Sequence, residues 1–295
     1  MRRRHWAAAA VLFFLLALPA VAQANVYCVN EPACVSARGA NVGSDGAALQ
    51  AAFTAAAGHP NSGGPDSVLI GAGRYTRAGG LEYNGDEVVI RSAGEGATVI
   101  TAPSTPGTVF NLQTSPGTVS DLSVEIPTAT TFIGINSNLA AIKRVAIVAA
   151  PGAGAATGLK TDSGSFSNGA IEVPTGTGVI IDGGELLDST VKAVRGIDAT
   201  VLTTLAIRRC RVSALFGLAL FNGTPTVEDT LVDLGGCEGI GVEVDHKTAG
   251  ARSKSPKRAP ATRSRPICGR STTAQPRPGR RRRTRSRAPE GTRRC

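Results

Sequence analysis

The sequence predicts an all-β chain wound as a parallel β-helix, a solenoid of about 22 residues per coil, with an α-helical cap at its N-terminal end. Three observations predict it. An apolar-x-x-apolar-x-apolar pattern recurs through the middle of the chain. Gly followed by Ile or Leu recurs with the same spacing. Short β-like runs alternate with Gly, Asn, Asp, Ser and Pro, and one stretch alone favours a helix.

The chain has 295 residues, of which 42% are apolar, 4% aromatic and 36 are Gly. Collagen, which needs Gly at every third position, and an aromatic-rich binding module are excluded. Residues 1–24 have the three parts of a secretory signal peptide. Arg2, Arg3 and Arg4 precede the apolar run Ala7 to Leu18, Pro19 ends it, and Ala22-Gln23-Ala24 is a small-x-small cleavage site. The run is too short for a membrane span, so the mature chain is expected to start at Asn25, outside the cell or on its surface. Trp6, Met1 and His5 leave with the signal, so His59 and His246 are the remaining histidines.

Residues 25–66 are the N-terminal segment and cap. Ser44 or Asp45 can N-cap the Ala-rich run 47–58, and Gly58 followed by Pro60 ends it. A helix here would cover the open first coil of a solenoid. Cys28 and Cys34 flank a short loop, and a local disulfide suits an exported protein. The spacing without a neighbouring His is poor for zinc, and Cys210 reads as a core residue.

Residues 67–246 carry the coils. The pattern stands at Val119-Leu122-Val124, Ile142-Val145-Ile147, Ile207-Cys210-Val212 and Val227-Thr230-Val232, with a degenerate copy at Ile181-Gly184-Leu186. The second marker stands at Gly134-Ile135, Gly158-Leu159, Gly196-Ile197, Gly217-Leu218 and Gly239-Ile240. Both share one long gap, read as a coil plus an inserted loop near Thr161 to Thr177. The residues between the first and second apolar slots are Ser120-Asp121, Lys143-Arg144, Asp182-Gly183, Arg208-Arg209 and Glu228-Asp229, whose signs alternate. Stacked coil on coil, they would form a ladder that relieves like-charge repulsion, or a carboxylate–guanidinium site for an acidic sugar.

Residues 247–295 differ in kind. They hold 17 Lys and Arg, one acid (Glu290), and no Leu, Val or Phe. Such a tail cannot bury a core and is expected to be disordered. The formal charge of +10 comes from it and from the signal, since 25–246 hold 12 bases and 21 acids. The tail is either a genuine polyanion-binding segment, through Gly279 to Arg287, or the product of a shifted reading frame in a GC-rich gene. In the second case the C-terminal coils are missing.

The order Asp45, then Ala47-Ala48-Leu49-Gln50-Ala51-Ala52, then Val68-Leu69-Ile70 and Gly73-Arg74-Tyr75 resembles the opening of pectate-lyase-like right-handed parallel β-helix proteins. The segment VVIRSAGEGATVI (88–100) is similar to an early coil of that family. The resemblance covers about 42–246 and implies the right-handed form. It also brings polysaccharide lyase and hydrolase activities into view. Polygalacturonase-like Asn-Thr-Asp, Asp-Asp, Arg-His-Gly and Arg-Ile-Lys motifs are absent, and Asp245-His246 matches a lyase motif only superficially. Asp182, Arg208, Arg209 and Asp229 are the candidate catalytic residues under a lyase reading, the only one that would call for Ca²⁺. No metal or phosphate-loop motif stands out. The leading expectation is therefore a secreted or cell-surface β-helix presenting a surface to an extracellular polysaccharide, a cell-surface glycan or another partner. The alternative is a polysaccharide lyase or hydrolase.

Overall fold

The structure, a computed structural model, describes residues 24–245 except 33, 35–44, 60, 62, 104–106, 114–115, 129–131, 201–203 and 236–238. Residues 1–23, where a signal peptide is expected, Ser44, Pro60, Cys237, His246 and the basic tail lie outside the described residues. Of the two units into which the chain divides, the first runs from Met1 to Lys254 and contains all that is described. It is a parallel β-solenoid of about 7 turns and of the right-handed type.

Apolar residues one coil apart demand stacking, and three inward stacks satisfy it. The first joins Val68, Ile90, Val119, Ile142, Phe166, Leu186, Ile207 and Val227, each opposite the next in parallel register. The second joins Tyr75, Ile100, Val124, Ile147, Ile171, Val191, Val212 and Val232. The third joins Leu81, Phe110, Ile135, Leu159, Val179, Ile197, Leu218 and Val242. Apart from the last coil these side chains are almost wholly buried. In the last coil Val227 and Val242 are 41% and 54% exposed, because no described coil lies over them.

The stacks correct the repeat register at two places. The degenerate copy Ile181-Gly184-Leu186 is not a coil repeat, since Leu186, not Ile181, stands opposite Ile207. The long gap holds no inserted loop. With the degenerate copy removed, two coils lie between Ile142 and Ile207, built on Phe166 with Ile171 and on Leu186 with Val191. Their middle slots are Gly169 and Ser189, which broke the apolar signature. At Gly169 a methyl would meet the Val145 carbonyl oxygen at 2.5 Å, so the coil below leaves room for no side chain.

The glycine marker follows from the same crowding. Gly134, Gly158, Gly178, Gly196, Gly217 and Gly241 form a column in which a Cβ on each of the first five would meet the next glycine's carbonyl oxygen at 2.3–2.7 Å. The column includes Gly178, and its last member is Gly241 rather than Gly239. Ile240 stands opposite Phe216, on the outward-facing alternation, and Val242 continues the inward stack. The run GIGV offers two Gly-apolar pairs, and only the register chooses between them.

The helix α1 spans Gly46–Ala57, with Asp45 accepting from the Ala48 N–H at 2.8 Å and Gly58 at its C-terminus. It buries Leu49, Ala52, Phe53 and Ala56. Phe53 stacks on Phe110 at 5.6 Å and meets Tyr83 edge-on at 6.1 Å. The Gln50 side chain donates to the Glu82 carbonyl at 2.8 Å and accepts from the Glu82 N–H at 2.9 Å. On the edge of the first strand of the third stack, Gln50 thus stands in for a neighbouring strand. Cys28 and Cys34 are joined as a disulfide, their Cα atoms 6.3 Å apart, and Cys210 is a buried free thiol whose pKa burial pushes up.

Candidate functional site

Six turns of the solenoid place one residue each in the left-handed region. These are Asp121, Arg144, Asn168, Asp188, Arg209 and Asp229, with φ between 49° and 68°. Asp and Asn tolerate this conformation, and Arg does so less readily. Both arginines are held by two hydrogen bonds to the acid of the preceding charged rung. Arg144 Nε and Nη2 reach Asp121 Oδ1 and Oδ2 at 2.5 and 2.8 Å. Arg209 Nε and Nη2 reach Asp188 Oδ1 and Oδ2 at 2.6 and 2.7 Å. The ladder has the sign order acid, base, neutral, acid, base, acid, with Asn168 as its neutral rung.

This places the four candidate residues. Arg209 is engaged by Asp188, and Arg208 Nε lies 3.0 Å from Glu228 Oε2 without hydrogen-bond alignment. Asp229 sits one coil beyond Arg209 and adds to the field that raises the guanidinium pKa, after Asp188. Asp182 is not on this ladder, and Asp188 takes the rung expected of it. Asp182 follows Ile181, which stands opposite Thr161 and Ala199 on the sheet of the third stack. There burial, then the neighbouring Asp162, pushes its carboxyl above the usual range, with Lys160 opposing. The structure therefore brings Arg208, Arg209 and Asp229 together and leaves Asp182 apart.

Hydrogen bonds from Arg144 and Arg209 hold the Asp121 and Asp188 carboxyls below the usual carboxylate range. A depressed folded-state value means that each pair's contribution is present above the unfolded value and is lost as pH falls through the folded one. Carbon-detected NMR titration is expected to show both groups ionising at lower pH than ordinary Asp. Arg144→Gln is expected to return Asp121, and not Asp188, to the ordinary range. An unshifted Asp121 in the parent protein would contradict the ladder.

A second outward feature had no signal in the motifs. Glu125, Val148, Glu172, Lys192, Ser213 and Asp233 stand opposite one another in turn, forming a stripe on the sheet of the second stack. Two open hollows flank it. One, of about 420 Å³, is lined by Val99, Ser123, Glu125, Val148 and Pro151. The other, of about 260 Å³, is lined by Pro174, Lys192, Ser213, Leu215, Asp233 and Leu234. About three coils separate them, roughly 15 Å at the strand spacing of a sheet. Charges on the stripe are paired, with Arg74 to Glu125 at 2.5 Å, Lys192 to Glu172 at 2.6 Å and Arg211 to Asp233 at 3.9 Å. Hydroxyls, paired charges and exposed apolar walls suit a neutral or mildly charged hydroxylated polymer. Among the described residues no His, Cys, Asp and Glu group large enough for a metal ion occurs. No helix among them is long and apolar enough to cross a membrane.

No family model and no curated protein matches the chain. Among solved structures it is similar to an alginate lyase from Paenibacillus sp. str. FPU-7, with 11% identity and a TM-score of 0.34, over 68% of this chain and 97% of the lyase. At that distance the likeness says nothing about activity.

Proposed function

We propose that the protein is a secreted or cell-surface β-solenoid that binds an extended polysaccharide or glycan chain along the stripe from Glu125 to Asp233. The observation that carries this reading is the pair of hollows in line on one sheet face. A strand-built face is rigid, and an extended polymer can contact both hollows at once and gain from their fixed spacing. Each arginine of the turn ladder places two donors on a neighbouring carboxylate, which favours a structural role there over proton abstraction. The helix α1 closes the opposite task, shielding the first coil.

The alternative, a polysaccharide lyase or hydrolase, has one observation in its favour. Asp182 has a raised pKa beside Asp162, the environment in which a carboxyl can serve as a general acid. Under that alternative alone Ca²⁺ would enter. Affinity electrophoresis in gels of pectate, alginate and neutral glucans separates the two, combined with an absorbance assay for unsaturated uronides and a reducing-sugar assay. Retardation without product is expected, and Val148→Arg, which fills one hollow, is expected to weaken it about tenfold. Product release lost in Asp182→Asn would establish the enzyme instead. No retardation in any polymer and no product would remove both.

A further inference from the structure

Asp66 begins the strand Asp66–Ile70, and its carboxylate is fully buried. A buried carboxylate is costly unless it is paired with a cation and hydrogen-bonded. Among the described residues no Lys or Arg pairs with it. Its Oδ1 accepts from the backbone N–H of Asn25 at 2.7 Å. Its Oδ2 makes no hydrogen bond, and His59 Nδ1 lies 3.2 Å away without the alignment for one. An imidazole is a cation only on the acid side of neutrality. Among the described residues, the uncut chain offers this buried carboxylate one neutral amide donor.

The position of that donor in the sequence matters. Asn25 is buried at 8% exposure, whereas Ala24 before it is exposed. The chain enters the site at the bond where the small-x-small motif Ala22-Gln23-Ala24 ends. We propose that Asp66 is the receptor for the α-ammonium group of Asn25, formed when the Ala24–Asn25 bond is cut on export. This rests on the expected signal cleavage and is independent of the glycan reading. In the cut, an export peptidase adds water across the bond. The water oxygen ends in the Ala24 carboxylate, and the Asn25 nitrogen leaves as an amine that takes up a proton. One neutral N–H becomes a cation with three, within reach of Oδ1 and of the unused Oδ2.

The same residue also sets the first strand. The Asn25 carbonyl accepts from the Ser67 N–H at 2.8 Å, and the strand Val26–Val29 pairs with Ser67 to Ile70 from there. An ammonium clamped to Asp66 would therefore fix the register of the first coil, so that removal of the signal completes the fold. The groups facing the pair are His59 and the hydroxyls of Tyr27 and Tyr83, whose pKa values burial and then, in part, Asp66 push up. An α-amine titrates near pH 8 when unfolded, and pairing raises its value in the fold. Its stabilisation is thus present below about pH 8 and is lost as pH rises through the folded value.

The test compares a chain whose first residue is Asn25 with one that keeps Ala22-Gln23-Ala24, by thermal melting at pH 7. The Asn25 chain is expected to melt about 5 °C higher. Selective acetylation of its α-amine, and separately Asp66→Asn in both chains, should abolish the difference. Acetylation leaves the side chains of the site in place, so it decides the matter if Asp66→Asn does not fold. Equal midpoints, or a difference that survives acetylation, would overturn the proposal. So would mass spectrometry of the exported protein showing a first residue other than Asn25.

Discussion

Gly196→Ala is expected to destabilise the protein by about 2–3 kcal/mol, the cost of overpacking a tight interior. An added Cβ would sit 2.4 Å from the Gly217 carbonyl oxygen and 2.4 Å from Val212 Cγ1. The first of these is backbone held in a parallel ladder, with Ile197 opposite Leu218, so it cannot move aside without opening the coil. A single methyl here should lower the thermal midpoint by roughly 6 °C, at 2–4 °C per kcal/mol for a domain of this size. Gly241→Ala is the internal control. It belongs to the same column but has no described coil above it, and the nearest atom to its added Cβ is Leu234 Cδ1 at 3.8 Å. That variant is expected to lie within about 0.5 kcal/mol of the parent, as an uncrowded surface change does. Equal urea midpoints for the two variants would show that the column does not reflect stacking.

Phe110→Ala is expected to cost about 3–5 kcal/mol, the range for removing a buried aromatic. Phe110 is fully buried, belongs to the third inward stack and carries the stacked ring of Phe53 from α1. Its loss removes the floor under the helix as well as a rung of the core. Tyr83 reports on this directly. Burial, then the charges of Asp66 and Asp86, pushes its hydroxyl up to about 12. A raised folded value means that the contribution is present below the ordinary tyrosine range and is lost as pH rises through about 12. In Phe110→Ala the Tyr83 ring is expected to loosen and ionise nearer the ordinary range, seen as an earlier alkaline step in the tyrosinate absorbance. The sequence has three tyrosines, Tyr27, Tyr75 and Tyr83, and these supply the whole tyrosinate signal. An unchanged alkaline titration would mean that the ring of Phe110 does not support the helix-facing end of the core.

The coils that were legible in the sequence are those whose middle slot is apolar or bulky. Leu122, Val145, Cys210 and Thr230 all kept the pattern visible, and their first and third slots lie in the inward stacks. The two coils built on Phe166 and Leu186 were hidden because Gly169 and Ser189 occupy that slot. Asp182 was assigned to the ladder by this slip of five residues, and Asp188 holds the rung. The helix was legible because its signals are local, an Asp at the N-cap and Ala and Leu along its length. The groove stripe was not legible, since its residues share no type: Glu125, Val148, Glu172, Lys192, Ser213 and Asp233 form a set only after stacking.

By itself the sequence determined that this chain coils, that its coils stack in parallel and that a helix precedes them. Recurrent apolar residues at coil spacing can be buried in no other way, and the helix needs only its own neighbours in the chain. The tertiary structure alone decided which outward side chains meet. After the first pairing, of Val26 with Ser67, coil lengths vary from Arg195 opposite Thr177, 18 residues earlier, to Gly117 opposite Val88, 29 residues earlier. Each departure from a constant period shifts the following side chains relative to the previous coil. Contacts such as Arg144 with Asp121, or Asn25 with Asp66, therefore depend on the summed lengths of the turns between them, a quantity that packing sets and local pattern does not.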